Sequence, residues 1–456
     1  MAATSNGTLT PPSSPNRNTM TDSNSYADGS AASERQPLLG SSIPVEDEGL
    51  AADDTDIDLK DGKFFSHIAV EMGWLVKLGL PVTFSYLLNQ SLGIVGFVML
   101  GHLGTQEMAA GSLSFVYCNV TGYSWGVGMS TGLDALCPQA FTGSDDPVAF
   151  SGLSRSQYII YGIASPLNLL LQWLLVFKFN FGFIGSPMAT CASYSLLAVW
   201  SILYIACIEG SGCWGGWQWK EALNYKLLKQ QAYYGFGGLV QIVSEWWCFE
   251  VVALVAGLFG EVSLATQSIL MNTAGLLFMI PMGLGAGTIV RVGNCLGTGK
   301  QPVRSKIAAY ASLLAAAFFG FMNCTFCLAV RHQWAYVFNN DEQVASMTAL
   351  ILPCVAIFQV SDGLNAISVS LLRAIGRPLI SAFANVVGYY LIGIPVGIGF
   401  AFGLGWGLLG MWIGLAVGLM SVSLFLVPFI LIGTDYEKQS KLAVERIASH
   451  NDEPVA

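Results

Sequence analysis

The sequence predicts an all-α integral membrane protein, a bundle of about ten transmembrane helices with four in its first half and six in its second. Three observations carry that expectation. Only 11% of the 456 residues are charged while 53% are hydrophobic, against about a quarter charged in an ordinary soluble domain, so most of the chain belongs in lipid. Ten stretches reach the roughly 20 mostly apolar residues that a helix needs to cross the hydrocarbon core. Lys and Arg fall almost wholly on one side of the resulting topology, as they do when they gather in cytoplasmic loops.

Residues 1–62 come first, rich in Ser, Asn, Pro, Asp and Gly and poor in large apolar side chains. Such a segment buries too little surface to offset the entropy of ordering, so it is expected to be a disordered cytoplasmic tail. It opens without a basic stretch followed by an apolar one, which excludes a cleavable signal peptide. Residues 1–75 hold 12 Asp and Glu against 4 Lys and Arg, which supplies -8 of the formal net charge of -9. The membrane body is therefore close to neutral and offers no basic surface to nucleic acid. Within the tail, Glu34-Arg35-Gln36-Pro37-Leu38-Leu39 resembles the acidic dileucine signal that adaptor complexes read. Glu34, Leu38 and Leu39 are thus candidate sorting residues, directing the chain to a vacuolar membrane, with the plasma membrane as the alternative.

The ten apolar stretches are roughly 76–100, 108–136, 157–178, 185–208, 233–257, 264–290, 307–330, 344–371, 379–402 and 408–432. They are long and lack a period of two, which excludes a membrane β-barrel. With the first tail inside, the inner loops and the tail 433–456 carry Arg155, Lys220, Lys226, Lys229, Arg291, Lys300, Arg304, Lys306, Arg373, Arg377, Lys438, Lys441 and Arg446. The outer loops carry only Lys178 and Arg331. Both termini are expected in the cytoplasm. Most of the ten cysteines lie inside apolar segments, where Cys serves as a small hydrophobe; Cys324-x-x-Cys327 has no second pair to complete a metal site, and all four His lie outside the spans.

An internal repeat divides the chain. At an offset of 156, Gly104, Ala109, Ser112, Thr142 and Gly143 meet Gly260, Ala265, Ser268, Thr298 and Gly299, and their common register makes them a duplication. Further on, Gly182-Phe183-Ile184-Gly185 matches Gly407-Leu408-Leu409-Gly410 at an offset of 225, a jump of 69. Two helices present in the second half are therefore missing from the first. Residues 63–232 form an incomplete first lobe of four helices, and 233–432 a second lobe of six.

Several strings carry a family resemblance: Gly79-Leu80-Pro81, Gly132-Leu133-Asp134-Ala135-Leu136-Cys137-Pro138-Gln139-Ala140-Phe141, Pro166-Leu167-Asn168 and Gly182-Phe183-Ile184-Gly185-Ser186-Pro187. Glu245-Trp246-Trp247-Cys248-Phe249-Glu250, Arg291-Val292-Gly293-Asn294-Cys295-Leu296-Gly297, Asp362-Gly363-Leu364-Asn365 and Leu372-Arg373-Ala374-Ile375-Gly376-Arg377 continue them in order over residues 70–432. The set resembles the multidrug and toxic compound extrusion (MATE) transporters, and its Glu-Trp-Trp and Arg-Val-Gly-Asn strings resemble the eukaryotic branch. The resemblance implies twelve helices in two pseudo-symmetric lobes of six, working by alternating access, with organic cations leaving in exchange for protons or sodium. Here Arg155-Ser156-Gln157-Tyr158, similar to the start of the third helix, runs almost directly into Ala164-Ser165-Pro166-Leu167-Asn168, similar to the fifth. Most of helices three and four is absent.

The chemistry rests on four carboxylates in the spans, Asp134, Glu245, Glu250 and Asp362, because a charge at the bilayer centre costs about 2.5 to 3.5 kcal/mol or more and survives there for function. No Lys or Arg lies deep in a span to neutralise them, and low-dielectric surroundings penalise a lone carboxylate, so such groups can bind and release protons. Glu245 and Glu250, five residues apart, diverge by roughly 140° around a helix and cannot share one narrow cavity. The resemblance places Glu245 on the central cleft with Asp362, the family's acidic position in helix ten, as its partner. Glu250 is read either as part of the same coupling set or as an acid holding a neighbouring helix, and Asp134 as a cap or loop anchor first and a coupling residue second. Trp246, Trp247, Phe249 and Tyr389 can offer faces to an organic cation, worth roughly 0.5 to 2 kcal/mol each, or can serve as core; Gln267 and Asn272 can hydrogen-bond a substrate or glue helices.

The expected function is a secondary antiporter exporting organic cations or xenobiotics against protons, with sodium as the other coupling ion, and with no cofactor. The alternatives are a truncated, non-transporting relative, and a lipid-linked oligosaccharide flippase of the same fold, which would favour basic residues over the acids present. An integral-membrane enzyme is excluded by the lack of a His cluster, metal spacing or phosphate-cradling loop beside the spans.

Overall fold

In the computed structural model, residues 64–132, 151–204 and 225–451 are described, all within one unit, Leu50–Ala456. Every described element is helical. The order is α1 (Phe64–Leu103), α2 (Thr105–Cys118), α3 (Ser124–Ser130), α4 (Ser151–Trp173), α5 (Gly185–Tyr204), α6 (Tyr225–Leu258), α7 (Glu261–Gly297), α8 (Pro302–Val330), α9 (Glu342–Ala374), α10 (Pro378–Val386), α11 (Ile394–Ile398), α12 (Gly407–Leu431) and α13 (Tyr436–Asn451). Wider π-helical turns join α2 to α3 (Asn119–Tyr123), extend α4 (Leu174–Lys178), join α10 to α11 (Val387–Gly393) and follow α11 (Gly399–Gly403).

Among the described residues nine helices are long and apolar enough to cross a membrane. The tenth expected span, 108–136, is helical from Thr105 to Ser130 but falls in three pieces around the π turn. The first span begins earlier than expected, since α1 runs 40 residues, about 60 Å at 1.5 Å per residue. Its first turns carry polar residues that the apolar count passed over.

Local chemistry sets the boundaries. Asp341 caps α9 by accepting from the backbone N–H groups of Gln343 (2.8 Å) and Val344 (3.4 Å), two of the donors a helix start leaves unpaired. Pro302 and Pro378 open α8 and α10, where a missing N–H costs nothing. At the end of α9, Gly376 takes φ 77° and the Arg377 N–H bonds back to the Leu372 carbonyl at 2.7 Å. That closure folds the chain straight into α10.

The core lies in the second half. α9 packs along α7, α8 and α12, and α6 runs beside α10 and α3. α1 packs against α7 and α8 as well as α4 and α5. The stretch after 432, expected as a tail, contains α13, whose Tyr436 and Ala443 are buried with Val292 and Leu296 of α7. Seven cysteines are described and none is in a disulfide.

Candidate functional site

Glu245 sits one turn after Gln241 on α6, so the two side chains share a face. The Gln241 amide donates to Glu245 Oε2 at 2.9 Å, and Asn385 of α10 donates to the same oxygen at 3.5 Å. On its other side the Gln241 carbonyl accepts from the Arg373 guanidinium, in the last turn of α9. A guanidinium only donates, so Gln241 must turn its oxygen to Arg373 and its NH2 to Glu245. No Lys or Arg was expected deep in a span; Arg373, at the very end of one, nonetheless reaches Glu245 through one amide.

Asp362, on α9 about three turns before Arg373, is 4% exposed and stands in the field of Glu245. No side-chain hydrogen bond reaches it among the described residues. Tyr389, fully buried in the π-helical stretch after α10, feels both carboxylates, and its hydroxyl has no partner among the described residues. The Asn385 carbonyl oxygen is likewise buried and unpaired there. Buried polar atoms normally find partners; these two have none among the described residues.

An aromatic panel adjoins it. Phe249 lies 5.8 Å from Phe358, 6.4 Å from Tyr389 and 6.4 Å from Trp412, with Phe358 and Trp412 5.9 Å apart. The Trp412 indole donates to Gln267 Oε1 at 2.8 Å, while the Gln267 NH2 has no partner among the described residues.

Of the residues expected from sequence, the structure thus brings Glu245, Asp362, Tyr389, Phe249 and Gln267 into one region. Glu250 is not among them: its Oε1 accepts from Asn119 of the first π turn at 2.6 Å, so it holds the first half of the chain. Trp246 also turns that way and stacks on Tyr123 at 5.6 Å. Asn272 donates to the Ser268 carbonyl of its own helix at 2.8 Å and stays apart. Asp134, Glu34, Leu38 and Leu39 lie outside the described residues. Gln241, Asn385, Arg373, Phe358 and Trp412 were missed. The i, i+4 spacing of Gln241 and Glu245 was the one signal that could have found any of them.

A second constellation, unforeseen, joins α1 to α7 and α8. Glu71 pairs with Arg291 through both oxygens, at 2.7 and 2.8 Å, and Oε1 also accepts from Arg304 Nε at 3.0 Å. Glu71 and Arg291 are buried, and Arg291 lies over the Trp74 ring at 5.3 Å. Among the described residues no three His, Cys, Asp or Glu side chains gather as a metal set.

The MatE family model matches residues 81–209 and 239–398. An uncharacterized transporter of Schizosaccharomyces pombe is 28% identical over 427 positions, covering 77% of this chain and 78% of that one. Multidrug and toxin extrusion protein 1 of Mus musculus is 27% identical, covering 76% and 72%, and Protein DETOXIFICATION 52 of Arabidopsis thaliana is 25% identical, covering 80% and 85%. Among solved structures, the eukaryotic MATE transporter AtDTX14 superposes with a TM-score of 0.73 at 23% identity, covering 84% of this chain and all of that one. Since 77% of 456 residues is about 351, about 76 of the 427 positions aligned with the S. pombe relative have no residue here.

Proposed function

Because the chain belongs to the MATE family of membrane transporters, we propose that it is a secondary antiporter exporting small organic cations in exchange for protons, by alternating access between a first lobe (63–232) and a second (233–432). The observation that carries this is the buried pair Glu245 and Asp362 with the unpaired Tyr389 hydroxyl between α6, α9 and α10, beside the Phe249, Phe358 and Trp412 rings. Two carboxylates in low dielectric attract a cation, and the aromatic faces add to that attraction. A proton bound to either acid removes one negative charge and weakens the cation's hold; release of the proton restores it. Proton and substrate then compete for one site.

The scale is adequate. One proton moving down one pH unit releases about 1.4 kcal/mol, enough for about a tenfold gradient of a singly charged cation. Gln241 and Arg373 hold the Glu245 carboxylate in place while it is empty. The test is uptake of a radiolabelled tetraalkylammonium ion into reconstituted vesicles carrying a pH gradient, with a sodium gradient as the other arm. Glu245→Gln should abolish pH-driven uptake with expression retained; uptake equal to the parent chain overturns the assignment.

A second reading, a relative that folds but does not transport, is supported by the absent positions. About 76 unmatched positions and the 69-residue jump in the internal register agree with a first lobe short of two helices. Restoring about 60 to 70 residues between Tyr158 and Ala164 and finding exchange only then would favour it. The acids in the site disfavour the oligosaccharide flippase. Glu34, Leu38 and Leu39 support adaptor sorting to a vacuolar membrane.

A further inference from the structure

We propose that Glu71, Arg291 and Arg304 form a reversible lock, at the end of the bundle that the charge distribution assigns to the cytoplasm, which holds α1 against α7 and α8 and releases them once in each transport cycle. The alternating movement rests on the function proposed above. The lock itself rests on geometry.

Two guanidiniums converge on one carboxylate, from residues 220 and 233 positions away in the chain. The bonds therefore cross from the first helix of the chain to its second half, where an inward opening must part the bundle. Next to them the helices touch backbone to backbone: a Cβ placed on Gly287 would come within 3.2 Å of the Gly79 nitrogen and 3.3 Å of the Leu75 carbonyl oxygen. Leu75, 1% exposed, closes the seam against Ile307 and Ala311 of α8. One layer of charge and one of tight apolar contact thus lie on the same joint.

A permanent joint is served as well or better by apolar packing, because burying charges carries a desolvation penalty. A joint that opens into water is different. On separation Glu71, Arg291 and Arg304 recover their hydration, so parting them costs less than their bond lengths imply, while in the closed state the bidentate geometry fixes one register. Trp74 adds to this: Arg291 lies over it at 5.3 Å and Lys77 at 5.4 Å, so two cations share a ring that moves with α1.

The experiment reads the joint directly. In the full chain a Leu75→Cys reporter is exposed to a membrane-impermeant maleimide from the cytoplasmic side, and modification of that peptide is followed by mass spectrometry. The reporter chain should label slowly, Glu71→Gln should raise the rate by about tenfold or more because two guanidiniums lose their counter-charge, and Glu71→Asp, which keeps that charge, should stay within about threefold of the parent. An unchanged rate in folded Glu71→Gln overturns the lock, as does labelling of Glu71→Asp as fast as that of Glu71→Gln. Should Glu71→Gln not fold, Arg304→Gln keeps the bidentate pair and should raise the rate about threefold; no change there also overturns it. Labelling needs no substrate, so a chain that labels as expected yet exchanges no cation refutes the antiport reading alone.

Discussion

Gly414 offers the sharpest test of how the site is held. α12 crosses the run from Pro378 to Gly403 on glycines, and a Cβ at Gly414 would lie 2.4 Å from the Gly397 Cα and nitrogen and 2.5 Å from the Gly393 carbonyl oxygen. Carbon atoms pack at about 3.5 to 4.0 Å, so Gly414→Ala forces the two helices apart by more than about 1 Å. Overpacking of that size costs about 1 to 3 kcal/mol. The same displacement carries the π-helical turn and Tyr389 away from Glu245 and Asp362, so exchange should fall along with stability. Thermal unfolding of the detergent-solubilised chain, followed by size-exclusion chromatography, measures the first effect; uptake into vesicles measures the second. Gly399→Ala is the control, since nothing lies within 4 Å of a Cβ there. Gly414→Ala melting with the parent chain, or Gly399→Ala destabilising as much, would show that the seam is not what sets the packing.

Two further outcomes are expected. Trp412→Phe removes the donor to Gln267 and leaves both ends of that buried amide without a partner among the described residues, which should lower stability by about 1 to 3 kcal/mol; adding Gln267→Leu should recover part of that loss, and strict additivity in the double variant would deny the bond. Replacing Leu38 and Leu39 with Ala should move the protein from vacuole-like membranes to the cell surface, seen by microscopy of a tagged chain, and an unaltered distribution would dismiss the sorting signal.

The spans were legible because lipid imposes one composition on every helix that crosses it, and nine of the ten apolar runs return among the described residues as helices long enough to cross it. The divergence of Glu245 and Glu250 was legible too, as a matter of angle alone: one meets α10, the other Asn119. What escaped was pairing across the chain. Glu71 was only counted among the acids ahead of the first apolar run, which starts near residue 76; it is buried in the bundle because Arg291 and Arg304 neutralise it from far away, and no local pattern announces that. Arg373 looked like a loop cation because the apolar run ends near 371; α9 runs on to Ala374, and from its last turn Arg373 reaches Gln241. Trp412 sits in an almost wholly apolar helix, where nothing distinguishes an indole with a buried acceptor from one facing lipid.

The π-helical stretch Val387–Gly393 bears on how the gene for this protein can change. A π turn is what one added residue makes of an α-helix, and such turns recur at functional sites. Deleting a single codon within it would let the backbone relax to an α-helix while the segments on either side kept nearly their present phase, because the wide turn absorbs the added residue. Asn385 before the turn and Gly397 after it, where α12 makes its close approach, would stay near their places. The residues inside the turn, Tyr389 among them, would be re-aimed, although composition and apolar length would hardly alter. Substitutions there are screened by chemistry; a lost residue is screened by where the turn then puts Tyr389.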